Sequence, residues 1–163
     1  MERSTTVHDA LDTLQRRCRE GGHKLTPQRR EVCAAVAGSG LHPTPEQVFE
    51  SVGAAMPTLS RATVYKTLDF LVDLGIVRRV ATARGSRRYD INLVPHHHLL
   101  CEVCDRIVDF ADPKWSALPA SEHLDGFAAS ELRVEITGVC ADCGASSPQK
   151  VPSGTSDPGS GEE

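Results

Sequence analysis

The chain has 163 residues, 39% of them hydrophobic and 25% charged, a composition that can bury one moderate core or two small ones. No apolar run approaches the roughly eighteen residues that a membrane helix needs, and residues 1–12 lack the basic-then-apolar order of a secretory signal, so a cytoplasmic protein is expected. The net charge of −4 conceals an asymmetry, with 14 Lys+Arg against 10 Asp+Glu in residues 1–90 and 4 against 12 in residues 91–163; a basic front suits phosphate contact and an acidic back attracts cations.

Four helical patterns come first. Residues 7–20 carry Val7, Leu11 and Leu14 at helical spacing and stop at Gly21-Gly22, which reads as an appended arm. Thr26-Pro27 and Thr44-Pro45-Glu46-Gln47 start the second and third helices, since Thr caps free amides and Pro suits the first helical position. The fourth runs from a Ser60 cap to Leu74 with a Gly75 stop, and puts Val64, Leu68 and Leu71 on one face and Arg61, Thr63 and Lys66 toward the other. Residues 76–81 and 87–93 then read as strands around Arg84-Gly85-Ser86, completing a winged helix-turn-helix over residues 1–90.

After Pro95 the pattern changes to short apolar strands at 99–100, 106–110 and 132–136, with a helix over about 113–124 that Pro119 shortens or kinks. Residues 91–144 thus form a second, small α/β unit, so the fold class is α+β. From Ala145 onward Ser, Pro and Gly dominate, and residues 145–163 are expected to be a disordered tail.

Cys101/Cys104 and Cys140/Cys143 are two C-x2-C pairs, the spacing that lets two thiolates from one turn reach the same ion. Two such pairs complete a tetrahedral shell, which makes this a structural zinc site with no open position. Redox C-x-x-C motifs or unliganded thiols are the competing reading. Cys18 and Cys33 stand singly in helical patterns and read as small apolar residues.

In the extended run Pro95-His96-His97-His98, His96 and His98 project to one face and His97 away. His42, Asp90 and Asp109 could join them if the two units fold together, which periodicity alone does not show. Such an imidazole and carboxylate set without thiolate suits iron(II), manganese(II) or zinc, and the carboxylates favour iron and manganese. A solvated His-rich turn is the bland alternative; His8, His23 and His123 are isolated and read as surface residues.

Five stretches, in order, carry a resemblance: Leu25-Thr26-Pro27-Gln28-Arg29-Arg30, His42-Pro43-Thr44, Ala62-Thr63-Val64-Tyr65-Lys66-Thr67-Leu68, His96-His97-His98-Leu99-Leu100-Cys101 and Gly138-Val139-Cys140-Ala141-Asp142-Cys143. Over residues 8–144 the chain resembles the ferric uptake regulator superfamily. The resemblance implies a homodimer, with residues 91–144 as its dimerisation unit, that binds A/T-rich inverted-repeat operator DNA when a regulatory metal holds the DNA-binding units closed. Within the family the chain looks most like the peroxide-sensing branch, whose regulatory iron or manganese ligands fall on His42, Asp90, His96, His98 and Asp109. Asp109 marks that branch, because iron- and zinc-sensing relatives usually carry Glu there. What the branch implies is peroxide chemistry at bound iron(II) that oxidises His42 or His96 and releases metal and operator. The chain departs from the family at Leu132, which cannot ligate a metal where a His is expected, arguing against the additional site of iron- and zinc-sensing relatives; Asp105 replaces the Gly that commonly follows the first cysteine pair.

On this reading the fourth helix enters the major groove, with Tyr65 against thymine methyls and Ser60, Arg61, Thr63 and Lys66 shared between phosphates and base edges. Arg84, Arg87 and Arg88 on the wing, with Lys24, Arg29 and Arg30, are candidate phosphate or minor-groove contacts. A metal-homeostasis repressor of the same fold is the nearest rival. Two His plus a carboxylate also make the facial triad of non-haem iron enzymes, but five candidate ligands leave little room for an organic substrate, and the H-x-E signature of zinc deaminases is absent. A non-enzymatic regulator is therefore expected.

Overall fold

In the computed structural model, which describes residues 5–40, 42–82, 84–116, 125 and 127–146, four hydroxyl residues open the first four helices. The side chains of Thr6, Thr26, Thr44 and Ser60 each accept a backbone amide three residues on, and start α1 (Val7–Glu20), α2 (Pro27–Gly38), α3 (Pro45–Gly53) and α4 (Arg61–Asp73). Their apolar faces meet in one core, where Leu14, Val32, Val36, Val48, Val52, Val64, Leu68 and Leu71 are buried. The first helix is therefore not an appended arm: Ala10 and Cys18, small residues that a search for large apolar side chains passes over, extend the Leu14 stripe and pack it onto α2.

The amides of Leu74, Gly75 and Ile76 bond back to the carbonyls of Phe70, Val72 and Leu71, with Gly75 at a φ of 64°. Ile76 and Val77 are spent on this closure and on the core, so β1 (Arg78–Ala81) starts two residues later than the pattern suggests. β1 pairs antiparallel with β2 (Arg87–Asp90), and the fully buried Tyr89 fastens the hairpin to the helices. β2 ends at Asp90 instead of 93. There Asp90 Oδ1 accepts the Asn92 amide at 2.7 Å and Asn92 Oδ1 accepts that of Val94 at 3.2 Å, two side-chain turns that peel the chain off the ladder.

The second sheet has the order β4 (Ile107–Phe110), β3 (His97–Cys101), β5 (Glu135–Gly138), with β3 antiparallel to β4 and parallel to β5. The last strand lies at 135–138 and not at 132–136, because its ladder pairs His98 with Glu135 and Cys101 with Gly138 and so runs on to the second cysteine pair. Of the helix expected over 113–124, α5 (Pro113–Ser116) is described and the remainder lies outside the described residues. α6 (Ala141–Ser146) takes in the first two residues of the expected tail; residues 147–163 lie outside those described. Among the described residues no helix is long and apolar enough to cross a membrane.

Candidate metal centres

The two sheets and the helical core converge on five side chains. His42 sits in the loop that Thr44 caps into α3, Asp90 at the end of β2, His96 immediately before β3 and His98 within it, and Asp109 on β4. Antiparallel register places His98 directly opposite Asp109, a pairing whose side chains share one face of the sheet. Alternation turns His97 away: its Nδ1 accepts the Val134 amide at 3.2 Å and its ring packs on Phe110.

The ligand atoms crowd together. His42 Nε2 lies 3.1 Å from Asp109 Oδ1, and His96 Nε2 lies 3.2 Å from Asp90 Oδ2 and 3.0 Å from His98 Nε2. His98 Nε2 is 3.6 Å from Asp109 Oδ1. Because His96 Nδ1 is 2.7 Å from the Val94 carbonyl, which can only accept, the ring proton sits on Nδ1 and Nε2 presents a lone pair to the cluster. The Asn92 amide aims the Asp90 carboxylate in the same way.

Electrostatics favours a cation here. Burial, and then the neighbouring His42 and His96, push His98 down to about 4, so it is a neutral, ligand-ready imidazole at physiological pH. Burial raises the Asp90 carboxyl above its ordinary value, against the pull of the Asn92 amide and of His96 and His42. Burial acts in the same direction on Asp109, but His42, His96 and His98 together hold it below the usual carboxylate range. His42 Nε2, Asp90 Oδ2 and Asp109 Oδ1 are buried with no directed hydrogen bond. Each such group costs about 1–3 kcal/mol, and one divalent ion would satisfy all three. The residues fit a metal.

A second cluster closes the other end of the sheet. Parallel pairing of Cys101 with Gly138 brings the two C-x2-C turns together, so that the Sγ atoms of Cys101, Cys104, Cys140 and Cys143 all lie within 4.8 Å of one another. Cys104 and Cys140 Sγ are 3.8 Å apart, the edge of a tetrahedron with metal–sulfur bonds of about 2.3 Å. The Cys140 amide donates to Cys101 Sγ at 3.3 Å, and this bond, followed by the Cys104 amide, draws the Cys101 thiol down to about 6, toward the ligating thiolate. Cys18 and Cys33 are buried, and burial pushes Cys33 up to about 12, in keeping with their reading as small apolar residues.

On the outer face of α4 the Ser60 and Thr63 hydroxyls pair at 2.9 Å, the Arg61 guanidinium lies 4.8 Å from the Phe49 ring, and Tyr65 Oη donates to Glu46. Lys66 and Arg87 are exposed. Three of the expected cationic contacts are engaged by the protein itself: Arg29 stacks 3.5 Å over Phe70, Arg84 donates to the Val103 carbonyl at 2.9 Å, and Arg88 donates to the His42 carbonyl at 3.1 Å. Periodicity treats Arg88 as a wing charge, and no sequence signal joins it to His42. The supporting turn at Asp90 and Asn92 did carry a signal, since Asp-x-Asn favours side-chain turns.

A model of the Ferric uptake regulator family matches residues 20–137. The peroxide-responsive repressor PerR of Staphylococcus aureus (strain USA300) is 34% identical over 126 residues, which cover 77% of this chain and 85% of that protein. The Helicobacter pylori ferric uptake regulator Fur, whose structure reveals three functional metal-binding sites, superposes with a TM-score of 0.67 at 26% identity, over 88% of this chain and 97% of that one. The ferric uptake regulator from Francisella tularensis with iron superposes with a TM-score of 0.61 at 26% identity, over 75% of this chain and 95% of that one.

Proposed function

Because the chain belongs to the ferric uptake regulator family, whose members are metal-dependent regulators, we propose that it is a homodimeric, peroxide-sensing repressor of operator DNA. Residues 1–90 are its DNA-binding unit and residues 91–144 its metal-binding dimerisation unit. The observation that carries the reading is the convergence of three imidazoles and the Asp109 carboxylate, with the Asp90 carboxylate 3.2 Å from His96 and no thiolate, around buried atoms that lack hydrogen bonds. His42, Asp90, His96, His98 and Asp109 hold iron(II) or manganese(II), and Cys101, Cys104, Cys140 and Cys143 hold structural zinc.

His42 and Asp90 belong to the helical unit, His96, His98 and Asp109 to the sheet, so a shared ion clamps the two units in one relative orientation. Ser60, Arg61, Thr63, Tyr65, Lys66 and Arg87 then face DNA as a set. Leu99, Val108 and Ile136 align across the outer face of the sheet, each about two-fifths exposed, and this apolar strip suits a second copy. Iron(II) held by the His and Asp cluster would supply the electrons for peroxide reduction, and His42 and His96 are the imidazoles placed to take up the oxygen. Asp109, in place of a longer Glu, and the similarity to a peroxide-responsive repressor support that chemistry over plain metal homeostasis.

The test loads the zinc-retaining protein with iron(II) or manganese(II), adds stoichiometric peroxide anaerobically, and follows operator binding and peptide masses together. Gain of one oxygen at His42 or His96 with loss of DNA binding, in the iron form only, is expected. DNA binding that tracks metal alone and ignores peroxide identifies a homeostasis repressor.

A further inference from the structure

The wing touches the sheet at a second place, away from the His and Asp cluster. Ser86 Oγ donates to Asp105 Oδ2 at 2.6 Å, and Arg84 Nη1 donates to the Val103 carbonyl at 2.9 Å. Both acceptors belong to the turn around the first cysteine pair, which is closed by the Asp105 amide bonding to the Cys101 carbonyl at 3.0 Å. On the wing side, Ser86 is itself braced: its amide donates to Thr82 Oγ1 at 3.0 Å and its hydroxyl pairs with that of Thr82 at 2.8 Å.

Asp105 has a φ of 57°, a left-handed conformation that favours glycine and tolerates Asp and Asn. A residue with a side chain at this position is thus accommodated at some conformational cost, and its carboxylate reaches the wing. A single anchor between two bodies leaves rotation about it, whereas two separated anchors remove that freedom. The His and Asp cluster is one anchor, the ion pair of Arg78 with Glu131 at 3.2 Å is another, and the contact from Ser86 and Arg84 to the cysteine turn adds a third at the far end of the wing.

We propose that Asp105 and Ser86 are positioning residues that tether the wing to the sheet independently of the His and Asp site, so that the DNA-reading surface stays partly ordered when that site is empty. Arg84 belongs to the tether, and its guanidinium serves the Val103 carbonyl and not a phosphate. The dependence of operator binding on the regulatory metal is therefore smaller in this chain than the His and Asp clamp alone would produce.

The proposal rests on the repressor reading only for its second readout. The first is hydrogen exchange of the full-length, zinc-retaining chain without regulatory metal or DNA. Asp105→Gly, which suits the backbone, and Ser86→Ala, which leaves the cysteine turn untouched, are expected to speed exchange over residues 84–88 about tenfold. Asp105→Asn keeps an acceptor oxygen and should stay within about threefold of the parent chain. Unchanged exchange in both Asp105→Gly and Ser86→Ala, or faster exchange only in samples that have lost zinc, overturns the tether. The second readout uses a duplex selected from a random pool by the manganese-loaded chain: the ratio of affinities with and without manganese should rise at least about threefold in Asp105→Gly and Ser86→Ala, and an unchanged ratio overturns the proposed effect on DNA binding. Failure of the parent chain to select any duplex sinks the repressor reading, while the exchange data still decide the tether.

Discussion

Arg88 Nη1 donates to the main-chain carbonyl of His42 at 3.1 Å, and the next residue, Tyr89, donates its amide to the Pro43 carbonyl at 3.1 Å. Strand β2 therefore holds the His42 loop at two consecutive peptides while also delivering Asp90 to the same cluster. A side chain that looks from the sequence like a phosphate contact instead fixes the distance between two ligands. Arg88→Ala should leave zinc content unchanged and weaken manganese(II) binding by about ten- to a hundredfold, the usual effect of losing a group that orients a ligand. Competition titration against a metal-sensitive dye measures both; manganese affinity equal to that of the parent chain would refute the role.

Asp90 is nearly fully buried, and its Oδ2 faces His96 Nε2 at 3.2 Å without a hydrogen bond. Asp90→Asn keeps the shape and the Oδ1 acceptor for the Asn92 amide but removes the negative charge. The metal-free fold should be as stable as the parent or slightly more so, since an uncompensated buried carboxylate is costly, while iron(II) and manganese(II) binding should fall by two orders of magnitude or more. Urea unfolding and metal titration of the same sample separate the two effects. Marked loss of stability without loss of metal affinity would assign Asp90 to the fold and not to the ion.

His98 makes the regulatory-metal-free protein sensitive to acid. Burial and the neighbouring imidazoles hold its folded pKa at about 4, whereas in the unfolded chain it titrates near 6.5. Between these values the unfolded chain binds more protons, so stability is full above the unfolded pKa and falls as pH drops through the window, by at most about 3 kcal/mol once the low value is passed. Urea unfolding of the zinc-retaining chain at pH 7.5 and 5.5 should show the loss, and His98→Gln should reduce the difference. An identical pH response in the variant would place the acid sensitivity elsewhere.

Local chemistry was legible where one residue type has one strong preference. Thr26, Thr44 and Ser60 open helices as expected because a hydroxyl ahead of an apolar stripe has few better uses than capping, and the alternation that separates His96 and His98 from His97 follows from strand geometry alone. What the pattern could not supply was register and long-range pairing. Strand β5 was expected three residues early because Val134 and Ile136 fit either frame, and only pairing with β3 decides between them. The union of His42 and Asp90 with the β3 and β4 side chains depends on how two units pack, and the first helix reads as an arm in the sequence because Ala10 and Cys18 carry little hydrophobic signal on their own. Asp105 stands out in the sequence only as an unusual residue in a turn, and its partner Ser86 lies 19 positions away.

Tyr65 offers the sharpest test of the DNA-facing surface. Its hydroxyl donates to Glu46, which is held below its ordinary carboxyl range chiefly by that bond, so the ring is presented by α4 in one pose and steadied from α3. An exposed hydrogen bond of this kind is worth no more than about 1 kcal/mol, and Tyr65→Phe should leave stability and the preference for the selected duplex nearly unchanged, because the ring face proposed to meet thymine methyls is retained. Tyr65→Ala removes that face and should cost about 1–3 kcal/mol of discrimination between the selected duplex and one with altered A/T positions. Arg87, exposed on the wing, touches no base in this scheme; Arg87→Ala should weaken binding to both duplexes alike and lower the slope of affinity against salt by about one ion. Titrations of the two duplexes at several salt concentrations read all three variants, and equal behaviour of Tyr65→Ala and Arg87→Ala would show that α4 does not read sequence through this side chain.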